Sequence, residues 1–198
     1  MGIEFTYPAG STPIDADEAQ ALIPSLSTQA ELNQFEALNI VEGVIWAERS
    51  RKIKHALLEQ ETLKLLHRQM FGKTWKWAGS FRLTQKNIGC ESWRIPTELQ
   101  ILTEDVRCWI EFSTYPPDEI LGRFHHRLVS IHAFPNGNGR HARLATDILC
   151  SQMGVPALTW GSAEAPQNRQ AYLGALRAAD EHDYASLIQF LRGTAFGS

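Results

Sequence analysis

From Pro117 to Met153 a helical spacing of apolar residues is interrupted once, by Phe134-Pro-Asn-Gly-Asn-Gly139, and then resumes. Leu121, Phe124, Leu128 and Ile131 share one side of the first stretch; Leu144, Ile148 and Leu149 share one side of the second. Pro116-Pro117 is a natural helix start, because proline's missing N–H costs nothing in a first turn. The chain must therefore join two helices through a glycine-rich turn, with His132 before it and Arg140 and Arg143 after it. Few folds accommodate that arrangement unless the turn has work to do.

The rest of the chain reads as helix around this pair. Ser27 or Thr28 can cap a long helix whose stripe runs through Glu31, Phe35, Leu38, Val41 and Ile45. A second helix is expected over 59–71 with Leu63, Leu66 and Met70 on one face, and a third from Thr97 through Leu102, Val106 and Trp109. Helices over 168–178 and 184–191 complete the series. The stretch 85–95 is the one extended segment: Lys86-Asn-Ile-Gly89 supplies a turn and Ser92-Trp-Arg-Ile95 alternates, which predicts a short hairpin. Tyr7-Pro-Ala-Gly-Ser-Thr-Pro13 is turn-forming, so about the first fifteen residues read as a loosely held part of an N-terminal arm over 1–27. The expected architecture is all-α with one small β-hairpin, and 28–198 forms a single domain.

A net charge of −3 and a pI near 6.2 argue against direct nucleic-acid binding. Cys90, Cys108 and Cys150 are odd in number and form no CxxC pair, which suits reduced, buried thiols. The N-terminus shows no basic and apolar leader, and no run approaches the length of a bilayer span. A soluble, cytoplasmic protein is expected.

The turn has a definite chemistry. Gly137 and Gly139 lack a Cβ, so left-handed angles can turn successive N–H groups toward one point. Such a nest, joined to a helix N-terminus, binds anions. Arg140 and Arg143 lie on neighbouring positions of the first helical turn, where guanidinium groups can grip two phosphates of one polyphosphate. His132 can accept a proton from an incoming hydroxyl. Each part also has an ordinary structural use, a satisfied histidine or a surface turn. Two arginines at a helix start, however, oppose the dipole by about 0.3–1 kcal/mol each, and a bound anion would remove that penalty. His125, His126, His132 and His141 cluster without HExxH spacing, and no Gly-Lys-Ser/Thr follows the turn, so zinc and Walker A readings are disfavoured.

His132-x-Phe134-x-Asn136-Gly137-Asn138-Gly139-Arg140-x-x-Arg143 resembles the signature of the Fic (Fic/Doc) family, HxFx(D/E)GNGRxxR. Phe124-His-His-Arg-Leu128, Trp77-Ala-Gly-Ser-Phe-Arg82 and Tyr172-Leu-Gly-Ala-Leu176 extend the likeness, which is strongest to the subgroup called mobile mystery protein B. The resemblance implies transfer of AMP from ATP to a Ser, Thr or Tyr hydroxyl of a target protein. His132 would be the base and Phe134 the anchor of the loop. Gly137, Asn138, Gly139, Arg140 and Arg143 would hold the phosphates. Lys86, Asn87, Ile88, Gly89, Trp93 and Arg94 would form a flap that docks the target by adding a strand to it. Magnesium would accompany ATP, although the family's metal-binding acid falls at Asn136, a neutral amide and a weaker ligand.

Many family members carry an inhibitory helix, (S/T)xxxE(G/N). Leu38-Asn-Ile-Val-Glu42-Gly43 matches its Glu-Gly, so Glu42 within 28–54 is expected to pair with Arg143; Ser27-x-x-x-Glu31 is a weaker match. The subgroup likeness also implies a helix-turn-helix partner protein in a toxin–antitoxin-like pair. Two other readings stay open: transfer of a different phosphate-containing group, and a non-catalytic nucleotide-binding module.

Overall fold

Residues 13–161 and 166–193 are described by the structure, a computed structural model. Helix α1 is Ala16–Ala19, α2 Gln29–Arg49, α3 Arg51–Ala56, α4 Gln60–Phe71 and α5 Ile95–Glu111. Then follow α6 Pro117–Ile131, α7 Asn138–Gln152, α8 Pro166–Asp180 and α9 Ala185–Arg192.

Local chemistry explains most of the boundaries. Thr28 caps α2: its hydroxyl accepts from the Glu31 N–H at 3.2 Å, and the Glu31 carboxylate accepts from the Thr28 and Ser27 N–H groups at 3.0 and 2.8 Å. Thr28 and Glu31 thus form a capping box, to which Ser27 adds only its N–H. Ser50 stops α2 and starts α3, its Oγ accepting from the Ile53 N–H at 3.3 Å. Pro117 opens α6, and α5 begins at Ile95-Pro96 rather than Thr97.

The core is built by α4 to α7. Leu63, Leu66, Met70 and Phe71 meet Ile95, Leu99, Leu102 and Val106, with Leu121, Phe124 and Leu128 of α6 and Ala142, Ala145 and Leu149 of α7. A smaller cluster of Ala175, Ala179, Tyr184 and Leu187 joins α8 to α9. None of the helices among the described residues is long and apolar enough to cross a membrane.

Helix α2 lies on α4 by a face other than the apolar stripe. Its buried line is Leu32, Glu36, Asn39, Gly43 and Ala47, while Leu38, Val41 and Ile45 are exposed. The polar residues of the buried line are bonded. Asn39 donates to the Gln69 carbonyl at 3.3 Å and accepts from the Lys73 N–H at 3.0 Å, and Glu36 accepts from the Trp75 indole at 2.6 Å. Gly43 allows close approach, since a Cβ there would stand 3.0 Å from the Met70 Cα.

Residues 13–27 pack against the 74–86 segment. Ile23 donates to the Thr74 carbonyl and accepts no further ladder bond in return; Lys76 donates to the Ala21 carbonyl, around a single bridge between Leu22 and Trp75. The turn-forming 7–12 lies outside the described residues. The expected hairpin over 85–95 is absent: the described residues contain no strand there, and Ser92–Arg94 is a 3-10 turn leading into α5. Side chains hold this segment instead of a ladder. Lys86 turns inward to Asp15 and Glu18, 2.7 Å from each, and Arg82 donates to the carbonyls of Thr84 and Cys90. The three cysteines are free, but only Cys150 is buried; Cys108 is exposed and Cys90 half-buried.

Candidate active site

The turn between α6 and α7 is fixed from inside the core. Phe134 is 1% exposed and stacks on His67 at 3.8 Å between ring centroids. His67 lies on the apolar face of α4. Its Nδ1 accepts from the Gly79 N–H at 3.0 Å, so the proton of the neutral ring sits on Nε2, which donates to the Asn136 carbonyl at 3.0 Å. Burial, chiefly, holds the His67 pKa well below the usual imidazole value, so this arrangement persists.

Asn138 turns inward as well. Its Oδ1 accepts from the Phe134 N–H at 2.9 Å and its Nδ2 donates to the Phe134 carbonyl at 2.7 Å. That side chain shapes the loop, which leaves only its backbone N–H for an anion. Gly137 is the left-handed residue, with φ 79°. A Cβ there would lie 2.7 Å from the Phe71 ring. Gly139 is already helical and faces open space, so the left-handed angle expected of both glycines is needed at one. The first N–H groups of α7 have no carbonyl one turn back to bond, and they point out of the helix beside the turn.

His132 ends α6 in a left-handed conformation, φ 53°, and is 6% exposed. Burial pulls its pKa down to about 4, helped by the cations Arg82 and Lys86 and opposed by a hydrogen bond with the Val129 backbone. At neutral pH the imidazole is therefore uncharged and able to accept a proton. Arg82 is the neighbour that sequence reading passed over. Only 1% exposed, it donates to the His132 carbonyl at 2.6 Å and to the Thr84 and Cys90 carbonyls. One guanidinium thus ties the 84–90 segment to the backbone of His132. Gly89, with φ 102°, packs so closely that a Cβ would stand 2.7 Å from the His132 Cβ.

Of the expected flap residues, Asn87, Ile88 and Trp93 are exposed, Trp93 at 78%. Arg94 pairs with Glu98 and Glu91. Lys86 is committed to Asp15 and Glu18 and is not presented outward. A cavity of about 260 Å³ opens between Cys90–Arg94 and Arg127–Ile131, next to His132 in the chain.

The two motif arginines leave α7 in different directions. Arg140 lies over the Phe71 ring at 4.8 Å, and its Nη1 donates to the Glu36 carboxylate at 2.6 Å. Arg143 packs against Trp160 and Tyr172, 5.2 and 5.1 Å from their ring centroids. The expected Glu42–Arg143 pair is not formed: Glu42 is exposed and pairs with Lys73 at 2.6 Å. Glu36, one face round on the same helix, is the acid that reaches the motif. Its sequence signal was weak, since Glu36 precedes Ala37 and lacks the Glu-Gly pair.

Asn136 does not fit a resident magnesium ion. Its Oδ1 accepts from the Gly137 N–H at 2.6 Å and from Arg140 at 3.4 Å, which occupies a neutral oxygen with two donors. Among the described residues no three His, Cys, Asp or Glu side chains converge as a metal site.

Known proteins share this fold. The Fic/DOC family model matches residues 57–150. Protein adenylyltransferase Fic of Drosophila erecta is 30% identical over 165 residues, covering 81% of this chain and 32% of the relative. Fic-1 of C. elegans superposes with a TM-score of 0.63 at 23% identity, over 88% of this chain and 51% of that one. The N-terminal Fic domain of a Bartonella quintana effector protein, solved with bound ADP, gives 0.68 at 16% identity, over 86% and 87%. The chain spans about a third of the length of the Drosophila relatives it matches. The turn and helices α4 to α6 fall within the span, residues 57–150, that matches the Fic/DOC family.

Proposed function

We propose that this domain is a protein adenylyltransferase, moving AMP from ATP to a Ser, Thr or Tyr hydroxyl of a target protein. The observation that carries the reading is a neutral His132 beside the Gly137 turn and the N-terminus of α7, with a guanidinium on either side. The activity named for the Drosophila relative and the nucleotide in the Bartonella structure support it.

In this reaction the hydroxyl oxygen bonds to the α-phosphorus as the α–β anhydride bond breaks. Diphosphate leaves, and His132 takes the hydroxyl proton. The α7 N–H groups and Arg140 and Arg143 offset the charge on the departing phosphates. Magnesium would come with the nucleotide substrate and offset phosphate charge, and no side chain of this chain is assigned to hold it. The exposed part of the 84–94 segment receives the target, and the adjoining cavity takes one of its side chains.

Autoinhibition belongs to the proposal with Glu36 as the acid in place of Glu42, because Glu36 occupies Arg140 with a carboxylate. The likeness of Phe134-Pro-Asn-Gly-Asn-Gly-Arg-His-Ala-Arg143 to the mobile mystery protein B subgroup supports extending the proposal to that subgroup, with the helix-turn-helix partner it implies, and to a cytoplasmic setting. ATP labelled at the α or the γ position tests the transfer. Label on protein from the α position alone, lost in His132→Ala, is expected. Label from the γ position would show phosphorylation instead, and no label from either would leave a binding module.

A further inference from the structure

We propose that Tyr172 is a positioning residue for Arg143, holding its guanidinium through a one-way chain of buried hydrogen bonds that runs through His125 and Thr146. This rests on the reading above that Arg143 meets the outer phosphates of a nucleotide. Trp160 and Tyr172 both lie beyond the span matched by the Fic/DOC model, which ends at residue 150.

The direction of the chain follows from its far end. The Thr146 hydroxyl donates its one proton to the Ala142 carbonyl at 2.7 Å, so its oxygen can only accept. His125 Nδ1, 3.3 Å away, must then carry a proton. The His125 ring is fully buried, and burial chiefly, with the charge of Arg143, pulls its pKa to about 3, so it is neutral and its Nε2 is bare. Tyr172 Oη stands 2.7 Å from that nitrogen and has to donate to it. Its oxygen is then left as an acceptor toward Arg143, which can only donate and whose guanidinium lies over the same ring. Each assignment compels the next.

The rings complete the seat. The Arg143 Cζ lies 5.1 Å from the Tyr172 centroid and 5.2 Å from the Trp160 centroid, within cation–π range of both. Trp160 is itself tied to α7, its indole donating to Asp147 at 2.8 Å, and it holds a left-handed φ of 53° that a tryptophan does not adopt without such restraint. A guanidinium on a flexible stem loses rotamer freedom when it grips a phosphate. Here part of that ordering exists before the nucleotide arrives.

Tyr172→Phe keeps the ring and removes only the hydroxyl. ATP and AMP binding would be measured by calorimetry, with thermal melting as a check of folding, for the wild type, Tyr172→Phe, Arg143→Ala and the double variant. The expected result for Tyr172→Phe is a loss of ATP affinity of about five- to tenfold, the upper part of the range for an ordinary hydrogen bond, with AMP affinity unchanged. In the Arg143→Ala background the same change should add nothing. Equal losses for ATP and AMP, or additive losses, would overturn the positioning role. So would an unchanged ATP affinity in Tyr172→Phe while Arg143→Ala weakens it, which would leave the phosphate reading standing. If Arg143→Ala binds ATP as well as the wild type does, the phosphate reading itself fails.

Discussion

Replacing Glu36 by glutamine separates the two candidate inhibitory acids of α2, Glu36 and Glu42. In the folded chain Glu36 accepts from Trp75 Nε1 and from Arg140 Nη1, both at 2.6 Å. Glutamine keeps an acceptor for one of them and removes the charge. A phosphate that engages Arg140 must displace the carboxylate, so the strength of the Glu36–Arg140 pair is subtracted from nucleotide binding. Glu36 is 10% exposed at its side chain, but Arg140 is 42% exposed and partly screened by water. We therefore take the pair as worth about 1 kcal/mol, the upper part of the range for solvent-accessible ion pairs, and expect ATP affinity to rise about fivefold. Arg140 can reach solvent, so its charge is not stranded and melting should change by only a few degrees. The control is Glu42→Gln, which breaks an exposed pair with Lys73 and should leave ATP binding as it was. Calorimetric titration with ATP, followed by transfer assays on both variants, gives the answer. An affinity unchanged in Glu36→Gln, or a rise as large in Glu42→Gln, refutes the assignment.

Four further outcomes are expected. Gly137→Ala combines a positive φ with a Cβ 2.7 Å from the Phe71 ring; chemical denaturation should show a loss of about 2–4 kcal/mol. Gly89→Ala places its methyl 2.7 Å from both the His132 Cβ and an Arg82 nitrogen, at a positive φ of 102°, so steady-state transfer should fall about tenfold or more for a displaced base and the melting temperature should fall with it. The acid limb of the transfer rate should lie near pH 4, set by His132, with little change between about pH 5.5 and 7 in single-turnover assays; a midpoint near the ordinary imidazole value would contradict the buried, neutral base. His125, His141 and His132, with pKa values of about 3, 4 and 4, bind protons more readily unfolded than folded. Their contribution is complete above the unfolded pKa near 6.5 and is lost as pH falls from there toward 4, at up to about 1.4 kcal/mol per pH unit for each ring. Urea midpoints measured across that window should drop steadily.

Helices α4 to α7 were legible because their apolar residues return at helical spacing and their ends carry proline, serine or glycine. The turn was legible because glycine before a helix and an imidazole after one narrow its uses. Helix α2 was misread by the same rule. Phe35, Leu38, Val41 and Ile45 make the apolar stripe, yet the buried line is Leu32, Glu36, Asn39, Gly43 and Ala47. Bonds to Gln69, Lys73, Trp75 and Arg140 compensate the polar members, and those partners lie 30 or more residues away, beyond what local periodicity can weigh. The Glu42–Arg143 pair that the family resemblance implied is not formed because Glu42 precedes the buried Gly43 by one position, about 100° around the helix, and so faces water and Lys73. The 85–95 segment failed for a related reason. Alternation indicates a strand only when a partner offers its edge, and here Arg82 and Lys86 spend their donors on the segment and on α1 instead.

On the proposed reading, the divergence of Arg140 and Arg143 makes the leading and trailing parts of the domain answerable for different portions of one bound polyanion. Arg140 reports to α2, ahead of the turn in the chain, and Arg143 to Trp160 and α8, behind it. Selection acting on the leading helix can therefore tune restraint without touching the grip supplied from the trailing one, and the converse holds equally.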